Sequence, residues 1–137
     1  MSDVKSVIES GKAVLGIEFG STRIKAVLIG EDHAPIATGA HDWENMLVDG
    51  IWTYSLDMIW EGISDCYSKM AQDAKEKYGV TIKKLAAIGI SGMMHGYLPF
   101  DKEDNLLVPF RTWRNTKIGR ASCRKSVDLG GRRIIKK

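Results

Sequence analysis

Residues 13–30 read AVLGIEFGSTRIKAVLIG. Two short apolar runs, Ala13–Phe19 (AVLGIEF) and Ile24–Ile29 (IKAVLI), flank Gly20, Ser21 and Thr22, and the second run stops at Gly30. Runs rich in valine, isoleucine and leucine and bounded by turn formers favour strands, and so short a connection makes the pair antiparallel. A strand that ends in Gly-Ser-Thr and folds straight back presents backbone N–H groups and two hydroxyls at its tip, a suitable cradle for phosphate oxygens. Glu18, two residues before the glycine, could reach a hydrated Mg²⁺ held by the same phosphates. The segment would equally serve as an ordinary hairpin turn with no ligand.

Outward from this pair, the polar segment Glu31–Ala34 reads as a turn and Pro35–His41 (PIATGAH) as a third strand, with Gly39 expected to mark a bulge. Upstream, Val4–Ser10 suits one or two helical turns, with Gly11 as the stop. From Leu56 the period changes. Leu56, Ile59, Trp60, Ile63, Tyr67, Met70 and Ala74 recur at helical spacings, Ser55 is a suitable N-cap, Asp57 lies in the first turn and Gly79 stands beyond the end. The pattern predicts one amphipathic helix of about six turns, with Trp60 and Met70 among its core contacts. Lys84–Ser91 (KLAAIGIS) predicts a strand buried on both faces, with a parallel neighbour. Tyr97–Phe100 and Leu106–Phe110 then flank the polar DKEDN segment as the arms of a hairpin. The order is β-β-β-α-β followed by a hairpin, an α/β arrangement without internal repeats.

Two further stretches carry chemistry. GISGMMHG, Gly89–Gly96, leaves the predicted strand at its C-terminal edge, where ligands bind in open α/β sheets. His95 can donate or accept hydrogen bonds and Met94 can pack on an apolar face; a loop histidine beside a core methionine is the plain structural alternative. PFRTWRNT, Pro109–Thr116, offers Trp113 as an apolar face and Asn115 as a combined donor and acceptor. Its neighbours Arg111 and Arg114 read either as solvated charges or as partners of acids. GIWTYSLDMIW, Gly50–Trp60, needs only a loop and a helix cap.

A chain of 137 residues, 44% hydrophobic and 27% charged, can bury one ordinary core. Its longest apolar stretches, such as Leu85–Ile90, fall far short of the roughly 20 residues that cross a bilayer, and no basic-then-apolar leader opens the chain. A cytoplasmic protein with no membrane partner is expected. Cys66 and Cys123 show no C-x-x-C spacing, so neither a zinc site nor a disulfide framework is indicated, and Cys66 is expected in a core. The net charge of +3 sits at one end: of the 20 basic and 17 acidic side chains, residues 118–137 hold seven and one, leaving 13 against 16 before them. A nucleic-acid partner, suggested by that tail alone, is therefore not expected. The tail has no helical or strand period and few large apolar side chains. Read back into codons it resembles a sequencing adapter running into a homopolymer, so residues 118–137 are expected to be non-native or disordered, with 1–12 as a lead-in and 13–117 as the folded part. The other reading is a basic, disordered tail that binds an acidic partner.

The three blocks, in this order, resemble the N-terminal part of the FGGY family of carbohydrate kinases, in its xylulokinase-like branch. Family members open with wording close to G-I-D-x-G-T-S-x-x-K, matched here by Gly16, Ile17, Gly20, the hydroxyls of Ser21 and Thr22, and Lys25, with Glu18 where Asp is usual. The xylulokinase-like G-Q-M-H-G is matched by Met94 and His95, with Met93 in place of Gln, and the family's W-x-D or W-x-N by Trp113 and Asn115. Gly50–Trp60 is similar to the family's lead-in to its first helix. The resemblance implies an incomplete N-terminal domain of the actin-like ATPase (ribonuclease H-like) fold, from an enzyme that moves the γ-phosphoryl group of Mg-ATP to a keto-sugar such as xylulose or ribulose. It implies phosphate binding by Gly20, Ser21, Thr22 and Lys25, sugar binding by Met94, His95, Trp113 and Asn115, and a water-mediated Mg²⁺ contact by Glu18. The general base, the second phosphate loop and the adenosine pocket belong to later family sequence, so the chain is expected to be inactive alone. Its implied partners are the sugar and ATP, with a homodimer left open for the complete protein. A non-catalytic sugar- or nucleotide-sensing module of the actin-like superfamily is the alternative, since it would tolerate Glu18 and Met93.

Overall fold

In the computed structural model, which describes residues 3–115, the two apolar runs form β1 (Val14–Phe19) and β2 (Arg23–Ile29), after a short helix α1 (Val4–Glu9). β1 and β2 pair antiparallel from Val14↔Ile29 to Phe19↔Ile24. β2 in turn pairs antiparallel with β3 (Pro35–Asp42). After a small hairpin, β4 (Met46–Val48) and β5 (Ile51–Thr53), the chain enters the long helix α2 (Leu56–Tyr78) and returns as β6 (Ala87–Gly92), which lies parallel to β1. The sheet order is β3-β2-β1-β6. The described chain divides into two units: residues up to Glu44 with Leu56–Met93, and Asn45–Ser55 with the chain from Met94 on. The tail expected from residue 118 onward, Cys123 included, lies outside the described residues.

Alternation sets which face of the first unit is buried. In β2, Ile24, Ala26 and Leu28 are fully buried while Arg23 and Lys25 on the other face are exposed, as the period of two in a strand requires. Their cover is α2, which packs over β3 and β2. A fully buried isoleucine or leucine such as Ile24 or Leu28 contributes about 1.5–3 kcal/mol, and Ala26 less.

The helix was expected to bury Trp60, yet Trp60 is 66% exposed and the buried stripe is Gly62, Cys66, Met70 and Ala74. The cause is close approach at Gly39. A Cβ on Gly39 would overlap the Cys66 carbonyl and the Met70 amide, so small groups face each other where helix and strand touch. Trp60 stands roughly 200° round the helix from Gly62 and is turned to solvent. Gly39 therefore permits helix contact, and the β2–β3 irregularity expected there falls between Leu28 and Ile29. Cys66 is a free, fully buried thiol, as expected, and burial pushes its pKa up.

β6 has the expected parallel neighbour but not the expected burial. All six of its residues are exposed, with Ile88 at 59% and Ile90 at 71%. Among the described residues α2 covers the opposite half of the sheet, so β6 has backbone pairing without a covering layer.

The second unit is built on turns. Asp49 and Gly50, both at positive φ, join β4 and β5 as a two-residue hairpin loop. Tyr54, 1% exposed, receives a hydrogen bond on its hydroxyl from Asn45 and stacks 5.9 Å from Phe110. The hairpin expected around DKEDN is present as antiparallel bridges, Tyr97↔Arg111 and Phe100↔Leu106. Pro99 and Pro109 remove ladder donors between them, which keeps the arms from becoming continuous strands. The Asp101 carboxylate closes the loop by accepting from the Glu103 and Asn105 amides at 2.9 and 2.8 Å.

Candidate functional site

The Gly20 turn is tightly closed. The Gly20 N–H donates to the Arg23 carbonyl at 2.9 Å, and a Cβ at Gly20 would sit 2.8 Å from that oxygen, so only glycine fits. The Gly20 carbonyl accepts the Trp43 indole N–H at 2.8 Å, and the Thr22 carbonyl accepts the Trp43 amide at 3.1 Å. Both backbone groups of Gly20 are thus engaged inside the protein. Gly20 supplies the shape of the turn, while Ser21 and Thr22 present exposed side chains at its tip.

Glu18 and Lys25 are register partners across β1 and β2, so they share one face of the sheet, the one opposite α2. Their charged groups lie 3.8 Å apart and each side chain is about half exposed (56% and 52%). Glu18 is also level with Ser91 of β6. Antiparallel pairing with β2 and parallel pairing with β6 therefore bring an acid, a cation and a hydroxyl to one face near the C-terminal ends of β1 and β6, beside the turn. A shallow hollow of this face is lined by Val14, Gly16, Glu18, Lys25, Val27 and Ser91.

Among the described residues no cluster of three or more His, Cys, Asp or Glu could enclose a metal. Glu18 alone suits Mg²⁺ only in the manner that ion prefers, keeping most of its waters and leaning on one carboxylate and phosphate oxygens.

In the second unit, Met94 is 78% exposed and His95 occupies the left-handed region with φ +61°. Histidine is among the few non-glycine residues enriched there, and such backbone strain gathers at ligand-contacting turns. Trp113 is 54% exposed, and the Arg114 guanidinium lies 5.7 Å from its ring and 4.9 Å from that of Trp52. Asn115 is engaged with backbone. Its Oδ1 accepts the Trp52 amide at 2.9 Å, and its Nδ2 donates to the Trp52 and Thr112 carbonyls at 2.7 and 3.0 Å. Both amide hydrogens and one oxygen lone pair are committed, which fixes the turn that carries Trp113 and Arg114. Trp43 and Trp52 were not singled out from sequence; the Asp49–Gly50 pair between MLV and IWT is a hairpin signal that would have placed Trp52 on a strand.

This order of strands and helix, with a glycine turn between the first two strands, is that of the actin-like ATPase fold. The chain belongs to the FGGY family of carbohydrate kinases, matching its N-terminal domain over residues 13–127. The fold is similar to the "xyloylose kinase" of Brucella ovis (TM-score 0.66, 22% identity, 86% of this chain and 24% of that one). It is also similar to the gluconate kinase of Lactobacillus acidophilus (0.63, 20%, 87% and 23%) and to Plasmodium falciparum glycerol kinase with ADP (0.57, 16%, 85% and 23%). The chain thus spans about a quarter of the length of these solved structures. No curated protein sequence matches it. None of its helices, among the described residues, is long and apolar enough to cross a membrane.

Proposed function

We propose that this chain is the N-terminal part of an ATP-dependent kinase that phosphorylates a keto-sugar of the xylulose or ribulose kind. The observation that carries the reading is the double register of β1, antiparallel with β2 and parallel with β6, which sets Lys25 and Ser91 level with Glu18 beside the Gly20 turn. Ser21 and Thr22 donate to phosphate oxygens, Lys25 offsets their charge, and Glu18 holds a water of the Mg²⁺ that accompanies ATP. Bound Mg²⁺ would neutralise charge on the transferring phosphoryl group.

Met94, His95 and Trp113 contact the sugar, the methionine and indole against C–H faces and the imidazole at hydroxyls. Asn115 contributes chiefly by holding the Trp113 turn, with the second lone pair of Oδ1 left for a ligand. The keto-sugar preference is supported by the Met94–His95 wording and by the similarity to a protein described as a xylulose kinase.

The general base is not among these residues, so the 137-residue chain alone transfers no phosphate. The test is an ADP-release assay on xylulose, ribulose, gluconate and glycerol, run with this chain and with the polypeptide of its full native reading frame. The longer protein should turn over a ketose and this chain none. Sugar or nucleotide binding without turnover by the longer protein would establish the sensing alternative and overturn the kinase reading.

A further inference from the structure

Trp43 follows β3, lies outside every motif discussed above, and is 8% exposed. It makes two hydrogen bonds into the turn: indole Nε1–H to the Gly20 carbonyl at 2.8 Å, and backbone N–H to the Thr22 carbonyl at 3.1 Å. Its ring is held 6.3 Å from Phe19, at a 46° tilt, so the indole is braced against the end of β1. The chemistry of the turn makes these bonds consequential. In a trans peptide the carbonyl and the following N–H point in opposite directions. Fixing the Gly20 carbonyl toward the indole therefore fixes the Ser21 N–H away from it, and fixing the Thr22 carbonyl does the same for the Arg23 N–H. A free turn of this kind can rotate a peptide and place a carbonyl oxygen where an anion would sit, which repels it.

We propose that Trp43 is a positioning residue for phosphate: it holds the Gly20 and Thr22 carbonyls toward itself, so that the Ser21 and Arg23 N–H groups face the other way, toward the anion. The inference rests on the reading of Gly20–Thr22 as a phosphate site. A phosphate cradle gains affinity when its donors are fixed before the ligand arrives, because the ordering cost is met in folding and not in binding. Trp43 is a device for such fixing, supplied from 21 residues beyond Thr22.

The test uses magnesium tripolyphosphate titrated into the 137-residue chain, followed by proton–nitrogen correlation spectra, beside the variant Trp43→Phe. Phenylalanine keeps a ring against Phe19 and the backbone bond to Thr22 but removes the indole donor. In the parent chain the Ser21 and Thr22 amide signals should shift on titration. In W43F the affinity should fall about five- to tenfold, the scale of one lost neutral hydrogen bond; the Gly20 carbonyl, left without its indole donor, should also lower the melting temperature by several degrees, so both proteins are titrated below the lower transition. Equal affinity in a folded W43F overturns the role of Trp43 and leaves the phosphate reading intact. Absent shifts at Ser21 and Thr22 in the parent sink both. Where W43F does not fold, the parent decides: the Trp43 indole N–H should exchange with solvent at least about threefold more slowly with ligand bound, the sign of a clamp tightened by its ligand. Unchanged exchange overturns the proposal.

Discussion

β2 and β6 flank β1 on either side, both are rich in isoleucine, and both pair with it along six residues, yet one is the driest strand of the sheet and the other the wettest. Ile24, Ala26 and Leu28 of β2 are fully buried, whereas Ile88 and Ile90 of β6 are 59% and 71% exposed. The difference is α2, which covers β3 and β2. Hydrogen bonding makes a strand and fixes its register, but it removes little side-chain area from water. Burial is supplied by a second layer. Apolar composition tells which strands are built for a layer on each face, and the structure tells which have one among the described residues.

The sharpest way to break the comparison is to remove the covering layer. Gly39→Ala places a methyl group into the Cys66 carbonyl and the Met70 amide, and helix backbone cannot yield as a side-chain tip can. The expected cost is about 3 kcal/mol or more, a large part of the 5–15 kcal/mol that holds a typical domain. Thermal unfolding followed by circular dichroism should lose its cooperative transition, and a variant melting within a few degrees of the parent would show that α2 does not sit as described. Ile24→Thr is the next in size. It removes apolar volume and buries a hydroxyl at a fully buried position, for about 2–3 kcal/mol, or a fall on the order of 10 °C in melting temperature.

Particular residues show why some of this was legible in sequence. The β1–turn–β2 unit is local: its strands, its glycine and its hydroxyls lie within seventeen residues, Ala13–Ile29, and local pattern determines them. The parallel pairing of β6 was legible because a near-continuous apolar run is typical of parallel strands. Trp60 was misplaced because hydrophobicity alone ranks a tryptophan above a glycine as a core contact, whereas the closest approach of helix to sheet is set by the smallest groups, Gly39 and Gly62. Of the candidate site residues, Met94, His95 and Trp113 were singled out by wording. Trp43 and Trp52 were not, because what they do depends on contacts with residues about twenty and sixty positions away, which no local period encodes. Asn115 was singled out for its amide, whose partners in the structure are backbone groups.

Acid provides a smaller and more diffuse test. Three carboxylates of the covered half have pKa values held below the ordinary range: Asp42 by Arg23, Asp65 by Lys69 and then His41, and Asp73 by Lys77 and the Thr38 amide. Two of these tie α2 to β3, Asp65 through His41 at 2.8 Å and Asp73 through Thr38 at 2.9 Å. A carboxylate with a depressed folded pKa lends stability that is fully present above its unfolded value, about 3.9, and is lost as pH falls through the folded value. Melting temperature should therefore be insensitive to these groups above about pH 5 and decline below about pH 4. Because Asp42 is exposed and Asp65 and Asp73 are only partly shielded from solvent, the decline should be modest, and Asp73→Asn should flatten part of it. An unaltered slope in that variant would remove Asp73 from the α2–β3 attachment.

The smallest effect is the most diagnostic of the comparison. Ile90→Thr makes in β6 the same substitution proposed for Ile24 in β2. Ile90 is level with Ile17 on β1 and Ile24 with Phe19, so the same substitution is made in the two strands that flank β1, Ile24 having β3 on its other side. Threonine is as well suited to a strand as isoleucine, and an exposed position has no cavity to open and no hydroxyl to bury. The change should stay within about 0.5 kcal/mol, set against the 2–3 kcal/mol expected at Ile24. If Ile90→Thr instead costs as much as Ile24→Thr, then β6 is covered in solution, and the contrast between the two flanks of β1 gives way to a sheet buried on both sides.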